Sequence, residues 1–176
     1  MKTVIAGRHT NNINHFDMKL TDIFKSAAKK ESSTQAKPEC TNNDAANTKP
    51  RYTPEYISSL KEDEVFVFGS NLGGFHGGGA ARMAHLHFGA VWGKGTGLQG
   101  QSYAIPTMQG GTDTIKPYVD EFISFARANP QLFFYVTPIG CGIAGFKEEQ
   151  IAPLFKDAVG MENVCLPKSF CDILER

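Results

Sequence analysis

Glycine is the residue type whose placement first suggests chemistry in this chain. Of its 18 glycines, 11 fall between Gly69 and Gly100, a density expected where backbone must be exposed or closely approached. In Gly69-Ser70-Asn71-Leu72-Gly73-Gly74-Phe75-His76-Gly77-Gly78-Gly79-Ala80-Ala81-Arg82, an apolar run feeds into glycines that open an alanine-rich segment with helical spacing. Such a strand-to-helix junction turns amide N–H groups outward at the positive end of the helix dipole, which suits a phosphate. Pro138-Ile139-Gly140-Cys141-Gly142-Ile143-Ala144-Gly145-Phe146 repeats the arrangement after a second apolar run. One glycine loop alone reads equally well as a tight turn or a helix-packing contact. Two together favour a phosphate-bearing ligand. Neither is a dinucleotide fingerprint, because no acidic residue closes a clear βαβ unit at the required distance. Gly89-Ala90-Val91-Trp92-Gly93-Lys94-Gly95-Thr96 is not a Walker loop, since three residues separate its first two glycines and glycine follows Lys94, so an ATPase is disfavoured.

Side chains beside the loops offer fewer roles. His76, among the glycines, can touch a ligand or sit on the surface. Arg82, early in the first loop's helix, can pair with a phosphate or be solvated. Cys141 lies between two glycines near a helix N-terminus, a setting that can lower a thiol pKa. No orienting base is identifiable for it, so packing or a backbone contact is favoured over covalent catalysis. Phe146 and Trp92 can stack on a base or ribose, and Phe146 is better placed because it closes the second loop. His85 and His87 are two apart on a helix and face different directions, so no metal site is expected, and no cofactor.

The elements that must position these residues follow from periodicity. Thr53-Pro54 suggests a capped helix to about Leu60. Glu64 to Gly69 reads as a buried strand and Gly78 to Phe88 as a helix. Ser102 to Pro106 is a brief strand. Thr112-Asp113-Thr114 can cap a helix whose Ile115, Tyr118, Val119, Phe122, Ile123 and Ala126 form one apolar stripe, ended by Asn129-Pro130. Leu132 to Ile139 reads as a second buried strand, Lys147 to Val159 as a helix and Asn163 to Leu166 as a last strand. Alternating strands and helices argue an α/β domain with helices on both faces of the sheet, and both glycine loops then lie at the carboxyl ends of strands, where ligands bind.

Composition bounds the rest. The 176 residues carry 18 basic and 18 acidic side chains and are 41% hydrophobic, which suits one globular domain with a tail and gives no global field for a polyanion. Nucleic acid binding is therefore not expected. The apolar runs are far shorter than the ~20 residues that cross a bilayer, and the N-terminus lacks a signal-peptide core. A cytoplasmic protein with free thiols at Cys40, Cys141, Cys165 and Cys171 is expected. Residues 1–28 form an arm in which Phe16, Met18, Leu20, Ile23 and Phe24 could make a short helix that docks or recognises a protein partner. Residues 29–50 hold no large aliphatic or aromatic side chain and read as a disordered linker, leaving 51–176 as the domain.

At the two loops the sequence resembles the macrodomain family, a three-layer α/β/α fold with a mixed sheet that binds ADP-ribose. Its closest likeness is to the terminal ADP-ribose protein glycohydrolase branch, in Gly78-Gly79-Ala80-Ala81-Arg82-Met83-Ala84, in Tyr103-Ala104-Ile105-Pro106 and above all in Pro138 to Phe146. From about Arg51 to Phe170 it also looks like an uncharacterised macrodomain-like family of bacteria and their phages. The resemblance implies that Asn71 contacts the distal ribose. It further implies that Gly77, Gly78 and Gly79, with Gly140, Cys141, Gly142, Ile143, Ala144 and Gly145, cradle the diphosphate, and that Phe146 flanks the distal ribose. The chain departs from the branch where catalysis is concerned. Ala144 replaces an aspartate and Thr107 a lysine, which removes the branch's base and its covalent amine.

The leading expectation is thus a module that binds ADP-ribose or a related nucleotide. One alternative is hydrolysis of an ADP-ribosyl adduct, with His76 or a ligand-held water moving the proton. Another is a non-catalytic interaction protein, phage- or defence-associated, that keeps the fold, loses the pocket and docks through Met1 to Lys25.

Overall fold

The structure, a computed structural model, describes residues 52–176. The expected arm (1–28), the expected linker (29–50) and Arg51, the first residue of the expected domain, lie outside the described residues. Five strands form one mixed sheet in the order β2-β3-β1-β4-β5. They are β1 (Glu64–Ser70), β2 (Gly97–Gln99), β3 (Ser102–Pro106), β4 (Phe133–Val136) and β5 (Val164–Cys165). The helices are α1 (Gly79–His87), α2 (Thr112–Ala128), α3 (Glu148–Ile151) and α4 (Lys168–Leu174), with a 3₁₀ segment at Ala152–Ala158 between the last two. Strand β1 is central and parallel to both neighbours, with Val67 opposite Tyr103 of β3 and Val136 of β4. A strand paired on both edges and covered on both faces must be apolar throughout, as Val65 to Phe68 is.

Alternation along β1 divides the core. Val65 and Val67 join Tyr103, Ile105, Phe134 and Val136 beneath α2, the 3₁₀ segment and α4, whereas Phe66, Phe68 and Ala104 meet Ala81, Ala84 and Phe88 of α1 and its end. In the larger cluster Phe122 of α2 sets its ring edge-on against Tyr103 at 5.2 Å and Phe134 at 5.5 Å, and each such buried ring contributes about 2–3 kcal/mol. On the other face the small Ala81 and Ala84 are fully packed against the sheet, which holds the N-terminus of α1 close to the end of β1.

Three local expectations are corrected. Residues 53–60 form no helix, because the Thr53 hydroxyl, expected as a cap, donates to Cys165 O at 2.8 Å while its amide donates to Leu166 O at 2.8 Å. The segment begins instead with a parallel bridge of Tyr52 to Leu166. The helix expected from Lys147 to Val159 is one α turn followed by the 3₁₀ segment, whose start carries Pro153. Proline has no amide to donate and crowds the carbonyl four residues back. Strand β2 and helix α4 were not expected. Both are short, and β2 is held by antiparallel pairing with β3 through Gly100, at φ +55°.

Candidate functional site

The parallel strands β1, β3 and β4 all end on one side, and each is followed or closed by a hydroxyl residue: Ser70, Thr107 and Thr137. The chain leaves β1 for β3 on one side and crosses over to β4 on the other, so the carboxyl end of β1 is the point where the loops part and a crevice must open. A cleft of about 180 Å³ occupies this place. Gly69 and the three hydroxyl residues form part of its floor, Asn71, Phe75, Gly78 and Gly79 one wall, and Gly140, Gly142, Ile143 and Ala144 the other.

Each wall has a local cause. The Asn71 side chain closes the first loop on itself: its Nδ2 donates to Phe75 O at 2.9 Å and its Oδ1 accepts from the Phe75 amide at 3.1 Å. The loop then delivers Gly78 as the N-cap of α1, where no side chain caps the helix and its first turn holds no acidic residue. The first amides of α1 therefore have no intrahelical acceptor and carry the positive end of the dipole. In the second loop Gly145 N donates to Gly142 O and Phe146 N to Gly140 O, both at 3.0 Å. These bonds draw the turn tight and leave Ile143 at its tip, 74% exposed. The walls touch there, since a methyl group on Gly78 would stand 3.0 Å from Ile143 Cδ1. The floor needs glycine too, because a side chain on Gly69 would meet Gly140 N and Thr107 Oγ1, each at 3.2 Å. The floor hydroxyls donate to backbone, Thr137 Oγ1 to Val67 O at 2.9 Å and Thr107 Oγ1 to Ser70 O at 3.3 Å.

Of the residues singled out from the sequence, Asn71, Gly78, Gly79, Gly140, Gly142, Ile143 and Ala144 are brought together in this cleft. His76, Gly77, Arg82, Cys141, Gly145 and Phe146 do not line it. Arg82 is exposed one residue beyond the buried Ala81, turned away by the helical rotation. Phe146 folds back, its ring beside Gly140 and packed on the larger core cluster, rather than flanking the opening. His76 is 1% exposed, with its ring 5.2 Å from Phe68, 6.3 Å from His85 and 6.5 Å from Trp92. Neither of its ring nitrogens has a hydrogen-bond partner. Burial and then the neighbouring His85 hold its pKa below the usual 6.5. The position of His76 does not support the proton-transfer role considered from the sequence.

Cys141 is half-buried, donates to Ile139 O at 3.4 Å and packs on the core. Burial, then Glu148 and Glu149, push its thiol from 9.0 up to about 11, so the helix-terminus lowering considered from the sequence does not win. Two pKa units reduce the thiolate fraction at neutral pH about a hundredfold. Iodoacetamide at pH 7.5 is expected to label Cys141 about a hundredfold more slowly in the native protein than in urea, followed by peptide mass spectrometry. Comparable rates would show the thiol to be activated or the loop open.

No protein-family model, curated protein or solved structure matches the chain significantly.

The chemistry available is therefore read from the cleft itself. Among the described residues that line it, none is Asp, Glu, His, Cys, Lys, Arg or Tyr. Also among the described residues, no three His, Cys, Asp or Glu side chains gather as metal ligands, and no helix is long and apolar enough to cross a membrane. The lining offers outward amides and the second hydrogen of the Asn71 carboxamide as donors for an anion, its three hydroxyls already donating to backbone carbonyls, and no titratable side chain to move a proton. A larger groove of about 850 Å³ adjoins the cleft, sharing Ala80, Thr137 and Pro138 with it. Tyr56, Ile57, Phe66, Met83 and Pro167 give it apolar walls. The sequence reading missed Ser70, Thr107 and Thr137 as site residues. Their signal was the first hydroxyl after each apolar strand.

Proposed function

We propose that this chain is a nucleotide-binding module that holds the diphosphate of ADP-ribose or a related nucleotide between its two glycine loops and does not turn it over. The observation that carries this reading is a cleft with uncapped helix amides on one side and no titratable side chain in its lining. A diphosphate needs donors and a positive dipole, which neutral backbone supplies. Hydrolysis needs a positioned acid or base, which this lining lacks. The cleft alone is smaller than a ligand pocket of about 300–1,000 Å³, and the adjoining apolar groove gives room for the base of the nucleotide. The resemblance at Gly78 to Ala84 and Pro138 to Phe146 supports the same reading, under which the sheet and its helices form a three-layer, macrodomain-like arrangement. A cytoplasmic site of action accompanies this reading.

Calorimetry and thermal shift against ADP-ribose, NAD, AMP and ATP test it. ADP-ribose-type ligands are expected to bind and raise the melting temperature, with no product formed. A flat panel would overturn the proposal and leave an interaction role. The charge of the ligand is tested at the exposed tip of the second loop. Ile143→Glu is expected to weaken binding about tenfold and Ile143→Lys to strengthen it, the difference shrinking as salt rises. Both should melt within about 2 °C of the parent, because the site is on the surface. Equal affinities for the two variants would remove the diphosphate from this loop.

A further inference from the structure

The glycine excess has a second use, away from the phosphate. Gly74, at φ +65°, has no room for a side chain, since a Cβ would overlap the backbone of Gly93 and Lys94. A Cβ on Gly95 would likewise overlap Asn71 O. The amide of Gly93 donates to Gly74 O at 3.0 Å. Two loops are thus joined backbone to backbone, and each carries an aromatic side chain at the join. Phe75 and Trp92 meet edge to face with centroids 6.0 Å apart. Trp92 is braced from behind by His85 at 5.8 Å and by the buried His76. The backbone of Phe75 is held by two hydrogen bonds with the Asn71 side chain, one accepted and one donated. Yet Phe75 is 63% and Trp92 53% exposed, and Phe75 also lines the cleft. A rigid, half-exposed aromatic corner at the cleft's edge is a stacking surface whose assembly precedes binding.

We propose that Phe75 and Trp92 form a lip that stacks a second planar ring carried beyond the diphosphate, so that the preferred ligands are dinucleotides rather than ADP-ribose itself. The inference rests on the nucleotide reading above. It follows from the order of surfaces along one path: the apolar groove, then the amide-lined cleft, then the aromatic corner, with the cleft joined to the groove through Ala80 and to the corner through Phe75. A ligand with one ring fills the groove and the cleft but leaves the corner in water. A dinucleotide fills all three.

ADP-ribose and NAD differ by the nicotinamide ring alone, and Trp92 is the sole tryptophan of the chain, so its fluorescence reports the lip directly. NAD and NADH are expected to bind the full chain about tenfold more tightly than ADP-ribose. They are also expected to quench the tryptophan emission, with energy transfer to NADH, where ADP-ribose does not. By calorimetry Trp92→Ala should bring NAD down to the ADP-ribose affinity while ADP-ribose itself changes less than about twofold, and the more conservative Trp92→Phe should restore part of the gain. ADP-ribose binding with no advantage for NAD, or an advantage that survives Trp92→Ala, would overturn the lip and leave the nucleotide reading standing. No binding of any of the three ligands would overturn both. Self-association in sedimentation that Trp92→Ala abolishes, without a nicotinamide effect, would assign the corner to a second copy of the chain and overturn the proposal.

Discussion

Gly74→Ala is expected to abolish nucleotide binding and to lower the melting temperature of the domain by about 10 °C. Two costs combine at this position. The φ of +65° is unfavourable for any residue with a Cβ, by roughly 1–2 kcal/mol. The methyl group would also overlap the backbone of Gly93 and Lys94, and backbone cannot swing aside as a side chain can, so the loops must separate at about 1–3 kcal/mol more. Separation would break the bond from Gly93 N to Gly74 O and release the first wall of the cleft, which holds Asn71, Phe75 and Gly78. Gly77→Ala is the control, three residues on in the same loop. A Cβ there meets nothing within 4 Å and its φ is ordinary, so stability should change by about 0.5 kcal/mol or less. Thermal unfolding of the two variants side by side decides the matter. If Gly74→Ala melts within about 2 °C of the parent, the loops are not joined in the way the structure indicates.

The second large effect is expected from acid, through His76. In the folded protein this ring is enclosed by Phe68, Trp92 and His85, and neither nitrogen has a partner. Protonation would place a charge in an apolar setting beside a second imidazole, which is why burial first and His85 second depress its pKa. The unfolded chain retains the ordinary value near 6.5. Above that value neither state takes the proton and the folded form has its full stability. As pH falls through 6.5, only the unfolded chain protonates, so stability is lost progressively until the depressed folded value is reached, at up to about 1.4 kcal/mol per pH unit. Urea unfolding of wild type and His76→Phe at several values between pH 8 and pH 5 isolates this contribution as the difference between the two profiles. The variant is expected to lose less stability on acidification, and at low pH to be the more stable of the pair, because an apolar ring leaves no buried nitrogen unpaired. His85→Gln should reduce the slope without removing it. Parallel profiles for wild type and His76→Phe would show that the histidine is hydrated or partnered in solution. Because His76 braces Trp92, NAD affinity of the folded protein should hold through this range and fall only below the depressed folded value, where the ring itself takes the proton.

Much of the sheet was legible because its signals are local. Val65 to Phe68 are apolar without alternation, which marks a strand covered on both faces, and Ile115, Val119, Phe122, Ile123 and Ala126 repeat at helical spacing and are all buried. Thr53 misled because its hydroxyl suits a helix cap equally well as the distant carbonyl of Cys165, and the choice depends on a strand more than a hundred residues away. Pro153 was a breaker in plain view within an otherwise periodic stretch. In the candidate site, the two glycine loops were legible through composition, but the direction of each side chain on them was not. Phe146 and Cys141 turn to the core, Arg82 to solvent and His76 to a pocket behind the loop.

The sequence by itself determined that this is an α/β chain with two glycine-rich loops following buried strands, since patterning, propensity and glycine's freedom act over a few residues. Only the tertiary structure decided which loop residues share a cleft and that the cleft has no titratable lining. It alone decided that part of the glycine excess joins two loops rather than facing a phosphate. Those outcomes depend on which strands become neighbours. Pairing β1 with both β3 and β4 sets Gly69 against Gly140 and brings Gly78 to Ile143, and a contact between residues some seventy positions apart has no signature in either segment alone.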